Sequence, residues 1–327
     1  MDAIPIGFKE SIPLAGSTGI GTAESKHEER EQYSLVGSGR GLSPDEFVVE
    51  KSSREFYEKN NKKIEKCYPV DLSKKRGQVL IINMNTFDNG SPRQGSERDV
   101  LNLKRLFEEL NFIVTVECNL SKKELKDVID LFSRDREHKE YSCCFIFLLS
   151  HGAPMRPLVS HPYSSGSIGV QWGIVCRDGN TIDVEEDFIS KFSNREATYL
   201  IGKPRFIIIN ACRGDSSDYA TMPRYKLQAG GIVYEDVDRP IRTFDDMAII
   251  KSSVLGYASL RDSSRGTWFI EKLCEVFRSK AGNKDVLTLF HLTDEALGRK
   301  IGPAGEMQTL ELISRGLNKK LFLYPGL

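Results

Sequence analysis

Several common signatures are missing from this chain of 327 residues. No apolar run approaches the ~18 residues needed to cross a bilayer, and the first residues lack the basic-then-apolar order of a secretory signal. Lys plus Arg and Asp plus Glu both number 46, so no global basic field exists to draw nucleic acid or an anionic membrane surface. No Walker A motif occurs, and the Gly-rich run Gly37-Ser38-Gly39-Arg40-Gly41 follows no strand pattern, which argues against a phosphate-cradling turn. The seven cysteines are an odd count and form no regular framework. Adjacent Cys143 and Cys144 would point to opposite faces of a strand. These absences lead to the expectation of reduced thiols in the cytoplasm, with no metal, no cofactor, and neither nucleic acid nor membrane as partner.

What is present is an alternation of apolar runs with amphipathic stretches. Residues 1–64 mix Gly, Ser, Pro and charge without a sustained period, and most of this tail is expected to be disordered. The pattern then predicts a strand over 78–83, a helix over 96–110, a strand over 112–117, a helix over 121–133 and a strand over 142–149. A hairpin-like CRDGNTI with Asp-Gly turn chemistry follows, then a helix near 184–193 and a strand over 205–211. After an acidic, aperiodic stretch over 214–246, the pattern resumes with a strand over 247–254, helices over 267–279 and 285–300, and strands near 307–314 and 320–324. Such alternation argues for an α/β fold with a mainly parallel sheet.

Two of the strands end in reactive side chains. Phe206-Ile207-Ile208-Ile209-Asn210 runs into Ala211-Cys212-Arg213-Gly214, and Cys143 through Leu149 runs into Ser150-His151-Gly152. In an open parallel sheet, sites form outside the carboxyl ends of the strands, so a thiol and an imidazole at two exits read as a nucleophilic dyad. Cys212 would attack a carbonyl carbon, and His151 would shuttle the proton. The backbone N–H groups of Gly152 and Cys212 would face the developing oxyanion. Taken singly, each side chain could equally be an ordinary core residue.

The NACRG and SHG motifs, in this order, resemble the caspases, whose nucleophile signature is Q-A-C-[RQG]-G with a histidine about 50 residues upstream. Here the separation is 61 positions, and the Pro-, Ser- and Gly-rich stretch over 153–172 accounts for the excess as a loop insertion. The resemblance covers about residues 65–327 and includes the closing LNKKLFLYPGL. It implies a caspase-like three-layer sandwich with a mainly parallel central sheet flanked by helices. The chain would divide into an N-terminal tail or propeptide (1–64), a large catalytic region (65–218), a linker (219–246) and a small region (247–327).

The resemblance also implies protein substrates cut after aspartate. Arg93 and Arg261 match the two family arginines that grip the P1 carboxylate, a task suited to bidentate guanidinium groups. Asn210 stands in place of the usual glutamine, one methylene shorter. Tyr257, Ser259 and Leu260 line the substrate side next to Arg261, with Leu260 where executioner members often carry tryptophan. Asp238 is the preferred cleavage site for zymogen maturation by an upstream protease, and Asp218 the runner-up. Family members pair through the last strand, so residues near 307–314 are expected at a homodimer edge. The short tail implies an executioner-like role in programmed cell death. The alternative is a caspase-fold regulator or decoy of weak or no activity, for which four intact site residues would have no chemical use. A metacaspase-like enzyme cutting after basic residues would need acidic groups where this chain offers arginines.

Overall fold

Fully buried apolar strands form the centre of the fold. In the computed structural model, which describes residues 48–155, 172–214 and 242–327 and the backbone of the short strand Asp218–Tyr219, six strands make one sheet. They are β1 (Gly77–Asn83), β2 (Ile113–Cys118), β3 (Cys143–Leu149), β4 (Arg205–Asn210), β5 (Met247–Lys251) and β6 (Glu311–Arg315). The spatial order is β6-β5-β4-β3-β1-β2. All neighbours are parallel except β6, which runs antiparallel to β5.

Side-chain alternation along these strands supplies two cores. Val79, Ile81, Phe145, Phe147, Phe206, Ile208, Ala248 and Ile250 face one layer. Leu80, Ile82, Ile146, Leu148, Ile207, Ile209, Met247 and Ile249 face the other. The first layer is covered by three helices, α2 (Ser96–Glu109), α4 (Trp268–Lys280) and α5 (Val286–Gly298). It is rich in aromatic contacts, such as the stack of Phe145 on Phe206 with ring centroids 4.7 Å apart. The second layer is covered by α3 (Lys122–Ser133) and the turns over 184–192. Ser121 and Glu124 close a reciprocal capping box at the start of α3, which satisfies two backbone donors that helix geometry leaves unpaired. A three-layer α/β sandwich with a mainly parallel central sheet flanked by helices is the observed architecture.

The structure departs from the sequence reading at four places. The tail expected to lack regular structure through residue 64 contains α1 (Arg54–Asn61), capped by Ser53. This charged helix is held by two aromatics, Phe56 against Phe322 and Tyr57 against Tyr324, at 5.2 and 4.9 Å between centroids. Residues 320–324 are not a sheet strand: Lys320 is exposed and makes one bridge to Cys67, and residues 321–324 are a buried apolar run under α1. Residues 184–192 form a π-turn and a 3₁₀ turn in place of an α-helix. The strand near 307–314 is split into Glu306–Met307 and β6. The former pairs with Asp218–Tyr219.

The last five residues of the expected linker are anchored. The Asn194 backbone N–H donates to Thr243 O at 2.9 Å and its side-chain amide to Arg242 O at 2.8 Å. Arg205, fully buried, reaches Asp245 O at 2.5 Å. Asp238 lies outside the described residues, as do 1–47 and most of the expected insertion.

Candidate active site

The site grows out of the register of β3 and β4. Leu149 pairs with Asn210 at their carboxyl ends, and the next N–H, of Ser150, donates to Asn210 O at 3.2 Å. The loops carrying His151 and Cys212 therefore leave the sheet side by side. Their closeness at the backbone demands glycine at 152: a Cβ there would lie 1.8 Å from Cys212 O.

Gly152 also begins a short strand paired antiparallel with Trp172–Val175. Val175 N donates to His151 O at 3.0 Å. Hydrogen-bonded pairs alternate in such a ladder, so Gly152, opposite Ile174, turns its own N–H away from that hairpin.

His151 is hydrogen-bonded to a backbone carbonyl, not to Cys212. Its Nε2 lies 3.1 Å from Ser91 O. The carbonyl can only accept, which puts the proton on Nε2 and leaves Nδ1 with its lone pair. The Phe87 ring covers the imidazole at 5.0 Å. Burial lowers the His151 pKa below its ordinary value, the Ser91 bond opposes this, and the positive fields of Arg93 and Arg261 lower it further. A neutral imidazole at pH 7 can accept a proton. Cys212 is half-buried, and the Ser259 backbone N–H donates to its Sγ at 3.4 Å. The thiols of Cys143, Cys144 and Cys274 are buried in the core and raised by desolvation.

The two arginines come to the same end of the sheet by different routes. Arg93 follows β1 and is buried, donating to Asn83 Oδ1 at 3.0 Å and Met84 O at 3.1 Å. Desolvation lowers it to about 10, against the pull of Asp99. Arg261 begins a two-strand hairpin, pairing with Thr267, and is half-exposed. Arg93 feels the charges of Arg261 and Cys212, and His151 feels both arginines. Four residues distant in sequence thus share one electrostatic neighbourhood.

Asn210 is buried with its amide engaged at both ends. It donates to Thr267 Oγ1 at 2.8 Å and accepts from Ser259 Oγ at 3.0 Å. It ties the cysteine strand to the arginine hairpin. Tyr257 contributes its carbonyl, accepting from Arg213 N at 3.0 Å. Leu260 N donates to Gln308 Oε1 at 2.7 Å, and its carbonyl accepts from Trp268 N at 3.1 Å.

Sequence reasoning missed Ser91, Phe87, Asp99, Thr267 and Gln308. Ser91 acts through a carbonyl, which no side-chain pattern reveals. Asp99 did leave a trace, as a carboxylate in the buried stripe Ser96, Asp99, Leu103, Leu106 and Phe107 of α2.

A family model described as the caspase domain matches residues 76–322. The chain belongs to the caspase family. Caspase Dronc of Drosophila melanogaster is 26% identical over 276 residues, covering 79% of this chain and 58% of its own length. Caspase-1-B of Xenopus laevis is 29% identical over 290 residues, covering 85% and 71%. Among solved structures, caspase-1 from Spodoptera frugiperda superposes with a TM-score of 0.60 at 26% identity, covering 76% of this chain and 90% of that one. The Drosophila initiator caspase Dronc gives 0.62 at 22% identity, covering 89% and 97%, a likeness of fold. The chain spans about three fifths of the length of the first curated relatives it matches. Among the described residues of this caspase no group of His, Cys, Asp and Glu could hold a metal, and no helix is long and apolar enough to cross a membrane.

Proposed function

We propose that the chain is a cysteine endopeptidase that cleaves proteins after aspartate. The observation that carries this reading is that the loop of Arg93 meets His151 through Ser91 O, 3.1 Å from Nε2, while the segment leading to Arg261 meets Cys212 through the Ser259 N–H, 3.4 Å from Sγ. Two guanidiniums beside a thiol suit a P1 carboxylate held next to the scissile bond. The Cys212 thiol gives its proton to His151 Nδ1 as sulfur bonds to the carbonyl carbon. The oxyanion is met by the N–H groups of Gly152 and Cys212. On collapse the C–N bond breaks, and His151 returns its proton to the leaving amine. Water, deprotonated by His151, then opens the thioester.

The finer parts of the proposal concern maturation and assembly. The chain is made as a zymogen and cut in its acidic linker at Asp238 by an upstream protease, and it acts in the cytoplasm in apoptosis or related cell-death signalling. The outer edge of β6, which among the described residues is laddered only to β5, is the surface through which two catalytic units form a homodimer.

The test is a panel of tetrapeptide amides differing at P1, assayed with wild type and Cys212→Ala. Turnover after Asp that disappears in Cys212→Ala while the thermal melt is retained, and that survives Cys143→Ala, Cys144→Ala and Cys176→Ala, supports the reading. Preference for Lys or Arg at P1, or turnover by Cys212→Ala, rejects it. A folded wild type with no turnover favours a regulator.

A further inference from the structure

Asp99 is out of place for a helix stripe. It is completely buried on the α2 face that otherwise packs Leu103, Leu106 and Phe107 against the core. A carboxylate at such a position is costly unless it is paired or hydrogen-bonded. Its Oδ1 accepts from the Thr267 backbone N–H at 2.8 Å. Its Oδ2 has no hydrogen-bond partner among the described residues.

The surroundings are built around this contact. Gly266, with φ +94°, precedes Thr267, and a Cβ there would lie 2.4 Å from Asp99 Oδ1. Gly95, at the start of α2, packs so tightly that a Cβ would lie 2.7 Å from Ser263 O. The helix that follows Arg93 is thus seated on the hairpin that carries Arg261. Thr267 continues the chain of bonds, accepting from Asn210 through its hydroxyl and capping α4 at Ile270 N.

We propose that Asp99 is the positioning residue of the acid pocket: its Oδ1 fixes the Arg261–Thr267 hairpin against the Arg93 loop, and its charge sets how strongly the two guanidiniums hold a substrate carboxylate. This rests on the aspartate-specific reading above. The charged and titratable groups coupled to Asp99 through their fields are Arg93 from the loop before α2, Arg261 from the hairpin and the buried Cys274 thiol from α4. Burial raises the carboxyl to about 7, with the Thr267 N–H and both arginines pulling it down. The hydrogen bond from Thr267 survives protonation, because a neutral carboxyl keeps an acceptor oxygen. The charge does not survive. When Asp99 is ionised its negative field offsets part of the positive field that the two guanidiniums present to a P1 carboxylate, and when it is neutral that field is undiminished, so affinity falls as pH rises through this range.

The test measures KM and kcat separately for the full chain, Asp99→Ala and Asp99→Asn on a P1-Asp tetrapeptide amide from pH 6 to 8. Asp99→Ala raises KM about tenfold or more, with a smaller change in kcat. Asp99→Asn keeps an acceptor for Thr267 and, neutral throughout, holds KM near the wild-type value at pH 6. Wild-type KM rises about three- to tenfold across the range, as expected for a site coupled by up to one pKa unit, while that of Asp99→Asn stays flat. His151 also faces both arginines, and its titration is common to wild type and Asp99→Asn, so their difference isolates Asp99. A wild type that does not cleave after Asp overturns the parent reading and this role with it. A wild type that does, with unchanged KM in Asp99→Ala or parallel pH profiles for wild type and Asp99→Asn, overturns the role of Asp99 alone. If Asp99→Ala does not fold, the Asp99→Asn profile decides.

Discussion

The Cα of Gly152 faces the Cys212 carbonyl so closely that a methyl group on residue 152 would sit 1.8 Å from that oxygen and 3.0 Å from its carbon. The obstacle is backbone, so no side-chain rotation relieves it. Gly152→Ala must push the histidine and cysteine loops apart, an overpacking strain of about 1–3 kcal/mol. The fold, whose cores lie on the sheet faces, should survive with a modestly lower Tm. Steady-state kinetics should show kcat/KM down by about a hundredfold or more, since displacement of ~1 Å near reacting atoms costs that much.

Arg93 and Arg261 are expected to share a substrate role and to differ in structural cost. Removing either guanidinium should lower kcat/KM for a P1-Asp peptide by orders of magnitude, through loss of a charge-assisted contact worth about 2–5 kcal/mol. Arg93 is buried and satisfies Asn83 Oδ1 and Met84 O, so Arg93→Ala also strands two acceptors and should lower Tm markedly. Arg261 is half-exposed, and Arg261→Ala should leave the melt nearly as it was. Equal effects of both variants on Tm, or retained Asp cleavage by either, would contradict this division.

How far the sequence discloses this architecture depends on where the information lies. Strands buried on both faces read as unbroken apolar runs, and 142–149 and 205–211 match β3 and β4 to within a residue at each end. The helix predicted over 96–110 matches α2 to within a residue at its C-terminal end. The helix α1 was not legible, because Arg54–Asn61 is mostly charged and polar, and its stability comes from Phe56 and Tyr57 meeting residues some 260 positions away. Residues 320–324 carry a strand-like composition but are used as a buried cover over the core, a tertiary choice that overrides propensity. Ser91 contributes only a carbonyl, which every residue has.

The pH dependence of catalysis tests the environment of His151. Burial disfavours the imidazolium, so the folded pKa lies below the ordinary value near 6.5. The base form is the neutral one, so kcat/KM should rise with pH along an acid limb whose midpoint falls below 6.5. Phe87 covers one face of the ring at 5.0 Å. Phe87→Ala admits water, restores hydration to the charged form and should move the limb upward, whereas Phe87→Leu, which keeps an apolar cover, should move it less. A limb that stays put in Phe87→Ala would show that Phe87 does not set the hydration of the imidazole.

Maturation is constrained by what holds the linker at its two ends. Upstream, Asp218–Tyr219 pairs with Glu306–Met307, so a protease that needs an extended chain in its cleft must first undo that pairing. Downstream, residues 242–246 are fastened to the first half through Asn194 and Arg205, and Tyr68 donates to Asp246 Oδ1 at 2.5 Å. A cut after Asp238 would leave a new terminus at Arg239, three residues before the anchor, with β5 still laddered to β4. The two fragments should therefore co-elute in size-exclusion chromatography and separate only in denaturant. Asp238→Ala should leave the chain largely uncut between its halves and of low activity, with Asp218→Ala as the control. N-terminal sequencing of the small fragment decides: a start at Arg239 supports Asp238, a start at Tyr219 transfers the site to Asp218, and an uncut chain with full activity rejects cleavage as the switch.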